Sequence, residues 1–233
     1  MRLNDDKMLV YSRSHWSLLE TKRREAREIM TALSSREITS SVYGSVTRGD
    51  VHPESDVDII IPYVISSHSV ELALTMKGFK IYSKNIAQAT PRHALKGHIY
   101  VDADEKKCVT FPLVPFRGLE LEFYIFGGLL TLPTLIEAKR VPGCNKGLMF
   151  IQPTEQGHNE FSIVGREVEV AKILEVSLEI VQERVKILTR RKDLGRTGIV
   201  IFQRLEKDDV FEDVLRQLEA SNPLVRRKIR KSQ

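Results

Sequence analysis

The run Ser55-Asp56-Val57-Asp58-Ile59-Ile60-Ile61 alternates acid and aliphatic residues and then turns wholly aliphatic. On an extended strand, residues i and i+2 point the same way, roughly 7 Å apart. Asp56 and Asp58 therefore project from one face, and Val57, Ile59 and Ile61 from the other, into a core. Two neighbouring carboxylates repel each other, and partial burial makes both ions costly. A divalent cation removes that penalty, and Mg²⁺ is typically held by one or two carboxylates together with substrate phosphates. The competing reading is a pair of strand-end acids open to water, since a bare acid-x-acid triplet is short and common.

The residues upstream weigh against that bland reading. Ile38 to Tyr43 reads as a short strand, and Gly44-Ser45 follows it directly. Glycine lets the backbone approach an anion closely. A helix starting at Ser45 would aim unpaired N–H groups at a phosphate, with the Ser45 hydroxyl as a further donor. The lysine and the G-x-x-x-x-G-K-[ST] spacing of a Walker A loop are absent.

With this Gly-Ser corner, about ten further residues and then Asp56-Val57-Asp58, the stretch GSVTRGDVHPESDVDIII resembles the signature of the DNA polymerase β-like nucleotidyltransferase superfamily, especially its small stand-alone members. The resemblance spans residues from about 14 to 126, with the motif itself in 42–61. It implies an α+β nucleotidyltransferase fold, a mixed β-sheet flanked by helices. It also implies Mg²⁺ as cofactor and a nucleoside triphosphate, ATP by preference, as substrate. Asp56 and Asp58 would hold the metal, while Gly44 and Ser45 held the β- and γ-phosphates. Arg48 would either help them or pair with Asp50 in the turn. A third carboxylate is expected on a later strand. GLELEFYIF supplies Glu122, with Glu120 as runner-up, where the family more often carries Asp. The activity implied is attack of a hydroxyl on the α-phosphorus with release of pyrophosphate.

Elsewhere the pattern predicts helices over 14–33 and 67–77, and strands over 57–64 and 79–86. A hairpin is expected from 98–101 and 108–114, with strands over 119–126 and 148–151 and a helical piece over 135–140. The six histidines share no spacing and read as ordinary residues. Composition turns helix-rich and more charged near residue 160, which predicts a nucleotidyltransferase domain over 1–160 and a helix-rich domain over 161–233. In the latter, Val168 to Leu174 and a helix capped by Ser177 resemble a helix-turn-helix, with Gly195 to Phe202 as its wing. Arg184, Lys186, Arg190, Arg191, Lys192 and Arg196 would then face a nucleic acid backbone. The alternative is a helical companion that only closes over nucleotide. The basic tail from Arg226 reads as a frayed terminus.

The net charge of +5 fits a phosphate-bearing partner, so RNA is the favoured acceptor. The rival readings are the same chemistry on a protein or small molecule, or a nucleotide-sensing DNA-binding regulator without catalysis. There is no run of ~18 apolar residues for a membrane span, and the first residues lack the apolar core of a signal peptide. Cys108 and Cys144 have no metal-ligand spacing and predict no disulfide framework, which places the expected compartment in the cytosol.

Overall fold

The computed structural model describes residues 6–195 and 198–230. β1 (Lys7–Val10) leads into α1 (Arg13–Ser34). In α1 the buried Leu19, Ala26, Ile29, Met30 and Leu33 recur at helical spacing, the apolar stripe that the sequence pattern predicts. β2 (Ser41–Tyr43) ends at Gly44, and α2 (Ser45–Arg48) starts at the next residue. Then come β3 (Val57–Ile60), α3 (Ser67–Met76) and β4 (Ser83–Gln88). The expected hairpin is formed by β5 (Lys96–Tyr100) and β6 (Lys107–Pro112). Four short elements follow: α4 (Gly118–Phe126), β7 (Leu129–Thr131), α5 (Leu132–Ile136) and β8 (Gly143–Cys144). A second hairpin joins β9 (Met149–Thr154) to β10 (Gly157–Ser162). The remainder is α6 (Glu167–Leu174), α7 (Leu178–Leu194), β11 (Ile201–Leu205), α8 (Phe211–Ser221) and α9 (Pro223–Arg230). The class is α+β, as expected, and no helix among the described residues is long and apolar enough to cross a membrane. Both cysteines are buried and unbridged.

These elements assemble into two units that interleave along the chain. One takes residues up to Arg27, Val42 to Ser55, and Gly118 through α7; the other takes Glu28 to Ser41, Asp56 to Arg117, and the chain from Gly198 onward. Each unit thus draws on residues from both sides of position 160.

In the unit that carries the aspartates, five strands run in the order β11-β4-β5-β6-β3. The sheet is mixed: β3 lies parallel to β6, and the other neighbours are antiparallel. One sheet face is apolar, with Ile59, Val109, Phe111, Ile99 and Ile86 all fully buried. Phe211 of α8 meets Phe111 edge-on at 5.1 Å between ring centroids. The Ser67 N–H and hydroxyl donate to the Glu212 carboxylate at 2.8 and 2.7 Å, tying the start of α3 to α8. Buried Lys84 donates to the carbonyls of Lys207 and Asp209 and fastens the loop between β11 and α8. The tail is not frayed where it is described. Val225 of α9 is buried, and Lys228 donates to the Arg92 carbonyl at 2.6 Å.

In the other unit, β1-β10-β9-β8 form an antiparallel sheet and β2 pairs with β7. A cluster of Phe126, Phe150, Phe161, Ile163, Val170, Leu174, Ile180 and Val181 joins that sheet to α4, α6 and α7. The first helix, the turn and the Ser177 cap of the expected helix-turn-helix are present. Glu175 takes the left-handed conformation (φ 54°) in the turn, and Ser177 Oγ accepts from the Ile180 N–H.

Two expectations are corrected. Residues 119–126 form a helix, not a strand. Leu119, Phe123 and Phe126, at i, i+4 and i+7, face the apolar cluster, and that burial selects the helical period over the alternating one. The end of the expected wing is placed differently: Ile201 and Phe202 begin a strand, Ile201–Leu205, that pairs antiparallel with Lys84–Gln88 in a sheet, while Arg196 and Thr197 lie outside the described residues. A strand whose backbone groups find partners in a sheet has its hydrogen bonds satisfied there.

The packing of the apolar face makes one position especially intolerant. A Cβ on Gly97 would lie 2.6 Å from Phe111 Cζ and 2.9 Å from Phe211 Cε1. Gly97→Ala is expected to lower stability by about 1–3 kcal/mol through overpacking, read as a reduced urea midpoint at unchanged m-value.

Candidate active site

β3 realises the predicted alternation. Val57, Ile59 and Ile60 are buried, Asp58 is half-buried, and Asp56 is exposed at the strand's entry. Parallel pairing sets Asp58 beside Cys108 of β6. The Cys108 thiol is pushed up to about 12, first by burial and then by the Asp58 charge. Thr110 lies 3.6 Å from Cys108 Sγ and 3.0 Å from His98 Nδ1. Burial and then the Lys96 charge hold the His98 imidazole down at about 4, so it is neutral at physiological pH.

Among the described residues no group of three or more His, Cys, Asp or Glu side chains gathers as a ready-made metal cage. Two hard carboxylates two residues apart, one on β3 and one just before it, nevertheless fit Mg²⁺, which keeps most of its waters and is commonly held by one or two carboxylates plus substrate phosphates. The donor set suits an ion that arrives with a triphosphate.

The Gly-Ser corner is built in the other unit. Gly44 sits at φ 91°, ψ −149°, a conformation that only glycine adopts readily. Its N–H donates to the Gly128 carbonyl, and its own carbonyl accepts from the Thr47 N–H and hydroxyl. No atom lies within 4 Å of where a Gly44 Cβ would stand, so a ligand can approach the backbone there. Ser45 is half-buried.

Arg48 and Asp50 resolve the choice left open for the turn. The guanidinium makes two 3.0 Å bonds to the Asp50 carboxylate, from Nε and from one terminal nitrogen, and its other nitrogen donates to the Gly127 carbonyl. Arg48 is buried and its donors are engaged in shaping the loop. Gly49 follows in the left-handed region (φ 107°), and a Cβ there would press on Arg140 and Tyr11 at 3.1–3.2 Å. His15 Nε2 bonds to the Gly49 carbonyl at 2.7 Å, Tyr11 stacks on His15, and the Tyr11 hydroxyl bonds to buried His158 Nδ1 at 2.6 Å. This aromatic–imidazole clamp on the loop escaped sequence reading, because residues 11, 15, 140 and 158 share no spacing.

The expected third carboxylate meets a different environment. In α4, residues two apart lie about 200° apart around the axis, so Glu120 and Glu122 do not share a face. Glu120 is buried. One oxygen of Glu122 accepts from the Ser177 N–H at 2.9 Å and from the Ser177 hydroxyl, which together anchor the start of α7.

Of the expected nucleic-acid-facing cations, Lys186, Arg190, Arg191 and Lys192 are exposed on α7. Arg184 instead stacks over the Phe123 ring, 4.9 Å from its centroid, and burial lowers its pKa. Arg196 lies outside the described residues.

The comparisons with known proteins agree with the motif. Residues 23–107 of the 233 match the nucleotidyltransferase domain family, a span that includes Gly44, Ser45, Asp56 and Asp58. None of the curated proteins matches the chain.

The Ser177–Glu122 pairing generates a prediction that separates a helix anchor from a metal ligand. Glu122→Ala is expected to cost about 1–3 kcal/mol, because the Ser177 donors lose their acceptor. Chemical denaturation measures that loss. Calorimetric binding of Mg²⁺–tripolyphosphate should persist in the variant, and its disappearance would return Glu122 to the metal site.

Proposed function

Taking the nucleotidyltransferase domain at residues 23–107 as the premise, we propose that this protein moves AMP from ATP to a hydroxyl acceptor. The observation that supports the reading is a half-buried Asp58 on β3, whose opposite face is sealed by Val57 and Ile59, with an exposed Asp56 at the residue just before the strand. In this reading the two carboxylates hold Mg²⁺ with the triphosphate, and the open backbone at Gly44 and the Ser45 hydroxyl hold the β- and γ-phosphates. When bound, Mg²⁺ stabilises charge on the attacking and departing oxygens. The acceptor oxygen bonds to the α-phosphorus as the bond to the bridging oxygen breaks, and pyrophosphate leaves with that electron pair. A carboxylate of the pair takes the acceptor proton. Positioning of the two reactants supplies much of the remaining rate. Arg48 and Glu122 act in this scheme as supports, of the loop and of α7.

The proposed acceptor is a nucleic acid, RNA by preference. Support comes from the exposed Lys186, Arg190, Arg191 and Lys192 along α7, a spacing that suits phosphate contacts. A nucleotide-sensing DNA binder without catalysis is the second reading. The α6–turn–α7 pair with its capped second helix favours it, and the pairing of β11 with β4 counts against it.

The test is incubation with α-labelled ATP, Mg²⁺ and separated RNA, protein and small-molecule fractions. Label should enter RNA, and Asp56→Ala or Asp58→Ala should lower transfer at least ~10³-fold, the scale of several kcal/mol of lost charge stabilisation. Label in another fraction would reassign the acceptor, and retention of duplex DNA without label would favour the regulator. Separately, reversing Lys186, Arg190, Arg191 and Lys192 to Glu should weaken RNA binding. The slope of log affinity against log salt should flatten by roughly 0.7 for each single-strand phosphate that is no longer neutralised. An unchanged slope would remove α7 from the interface.

A further inference from the structure

The basic tail is a helix with two unlike sides. Pro223 opens α9, where a missing N–H costs nothing. The Asn222 side chain accepts from the Leu224 N–H at 2.9 Å, and its backbone carbonyl from the Arg226 N–H at 3.1 Å. At about 100° per residue, Val225, Lys228 and Ile229 fall on one side. Pro223, Arg226, Arg227 and Arg230 fall within about 100° of arc on the other. Val225 and Lys228 are buried and Ile229 is half-buried, so packing turns Arg227 and Arg230 outward, and both are exposed. Arg226 is half-buried, and its guanidinium donates to the carbonyls of Glu219 and Ala220 at the end of α8. Those bonds hold α9 against α8.

The same four residues, Pro223, Arg226, Arg227 and Arg230, line a cleft of about 280 Å³. Among the described residues the lining holds no carboxylate, and the side chains of Arg227 and Arg230 join no hydrogen bond or ion pair. Like charges three or four residues apart destabilise a helix, so three guanidinium groups on one cleft favour an anion there. The volume falls just short of the ~300–1,000 Å³ that encloses a small-molecule ligand. It suits a group or two of a chain that passes across it. Guanidinium forks match phosphate oxygens, which they meet with paired N–H bonds. A lipid surface asks instead for an amphipathic helix whose apolar side is free to insert. In α9 that side is taken up by packing, and Leu224, at the border of the two sides, is the helix's one exposed aliphatic side chain.

We propose that Arg227 and Arg230, positioned by Arg226, hold the phosphate backbone of a nucleic acid strand, the acceptor of the proposed transfer. The inference rests on the nucleic-acid reading of the acceptor and deepens it. It gives the strand a contact in the unit that carries Asp56 and Asp58, whereas α7 belongs to the other unit.

Fluorescence anisotropy with a labelled oligouridylate tests the assignment on wild type, Arg227→Gln/Arg230→Gln and Arg36→Gln/Lys77→Gln. The last pair removes the same charge from exposed positions elsewhere in the unit. The α9 variant should bind RNA about tenfold more weakly. Its slope of log affinity against log salt should flatten by roughly 1.4, for two single-strand phosphates no longer neutralised. The control should match wild type. In labelled transfer the α9 variant should raise KM for RNA, with kcat and KM for ATP unchanged. Neither replaced arginine has a side-chain partner among the described residues, so the urea midpoint should not move. Wild-type RNA affinity in the α9 variant overturns the inference. Equal weakening in the control overturns it too, since net charge alone would then account for binding. Loss of binding to phosphatidylserine vesicles with RNA binding intact overturns it in favour of a membrane. These results leave the active-site reading standing, provided Mg²⁺–tripolyphosphate binding is lost in Asp56→Ala/Asp58→Ala. Label that enters only the protein or small-molecule fraction overturns the acceptor reading, and with it the strand's role as substrate.

Discussion

The burial of one face of β3 is the constraint on which the rest of the site depends. Val57 and Ile59 are fully enclosed, and a slip of one residue would drive Asp58 into that core while expelling an isoleucine. Aliphatic packing on the reverse face of β3 thus sets the direction in which Asp58 points. Parallel pairing with β6 then decides what stands beside it. Cys108 and Thr110 bring weakly polar, uncharged groups to the flank of Asp58. A neutral flank leaves the negative charge at this end of β3 concentrated in two side chains.

The loop between the Gly-Ser corner and β3 is shaped by buried charge. Arg48 and Asp50 form a bidentate pair under near-complete burial. Such a pair contributes little net stability against an apolar replacement, yet loss of one partner strands the other charge at a cost of roughly 3–5 kcal/mol. Its geometry, with Gly49 pressed between Arg140 and Tyr11, gives the turn one conformation. In this unit the arginine of the motif holds the loop's shape.

The acidic residues divide by what they meet. Glu122 and Glu212 lie in different helices, and each receives the N–H and hydroxyl of a serine at the start of another helix, Ser177 and Ser67 respectively. Negative charge beside unpaired N–H groups at a helix start is favourable on electrostatic grounds. Asp56 and Asp58 belong to another case, acids at the entry and in the middle of a strand rather than beside a helix start. A glutamate in an apolar context therefore carries no chemistry by itself. The element it stands on and the donors it meets decide its use.

The alternation of Asp56 to Ile61, the glycine corner at 44 and the helical stripe of α1 were legible in the chain, because each is a local period or a steric requirement of a few adjacent residues. The α+β class and the nucleotidyltransferase signature followed from them. The fate of GLELEFYIF was not legible: nine residues satisfy both periods, and only the apolar cluster against Leu119, Phe123 and Phe126 selects the helix. The same holds for Ile201–Leu205, whose first two residues end the expected wing of 195–202 but which finds its partner in β4, more than a hundred residues earlier. The clamp of Tyr11, His15 and His158 on the motif loop is likewise a product of long-range contact. Sequence determined which residues are able to do chemistry, through local period and backbone freedom. Tertiary structure alone decided which of them are engaged as supports, because burial and hydrogen-bond partners are set by strands and helices that meet far apart in the chain.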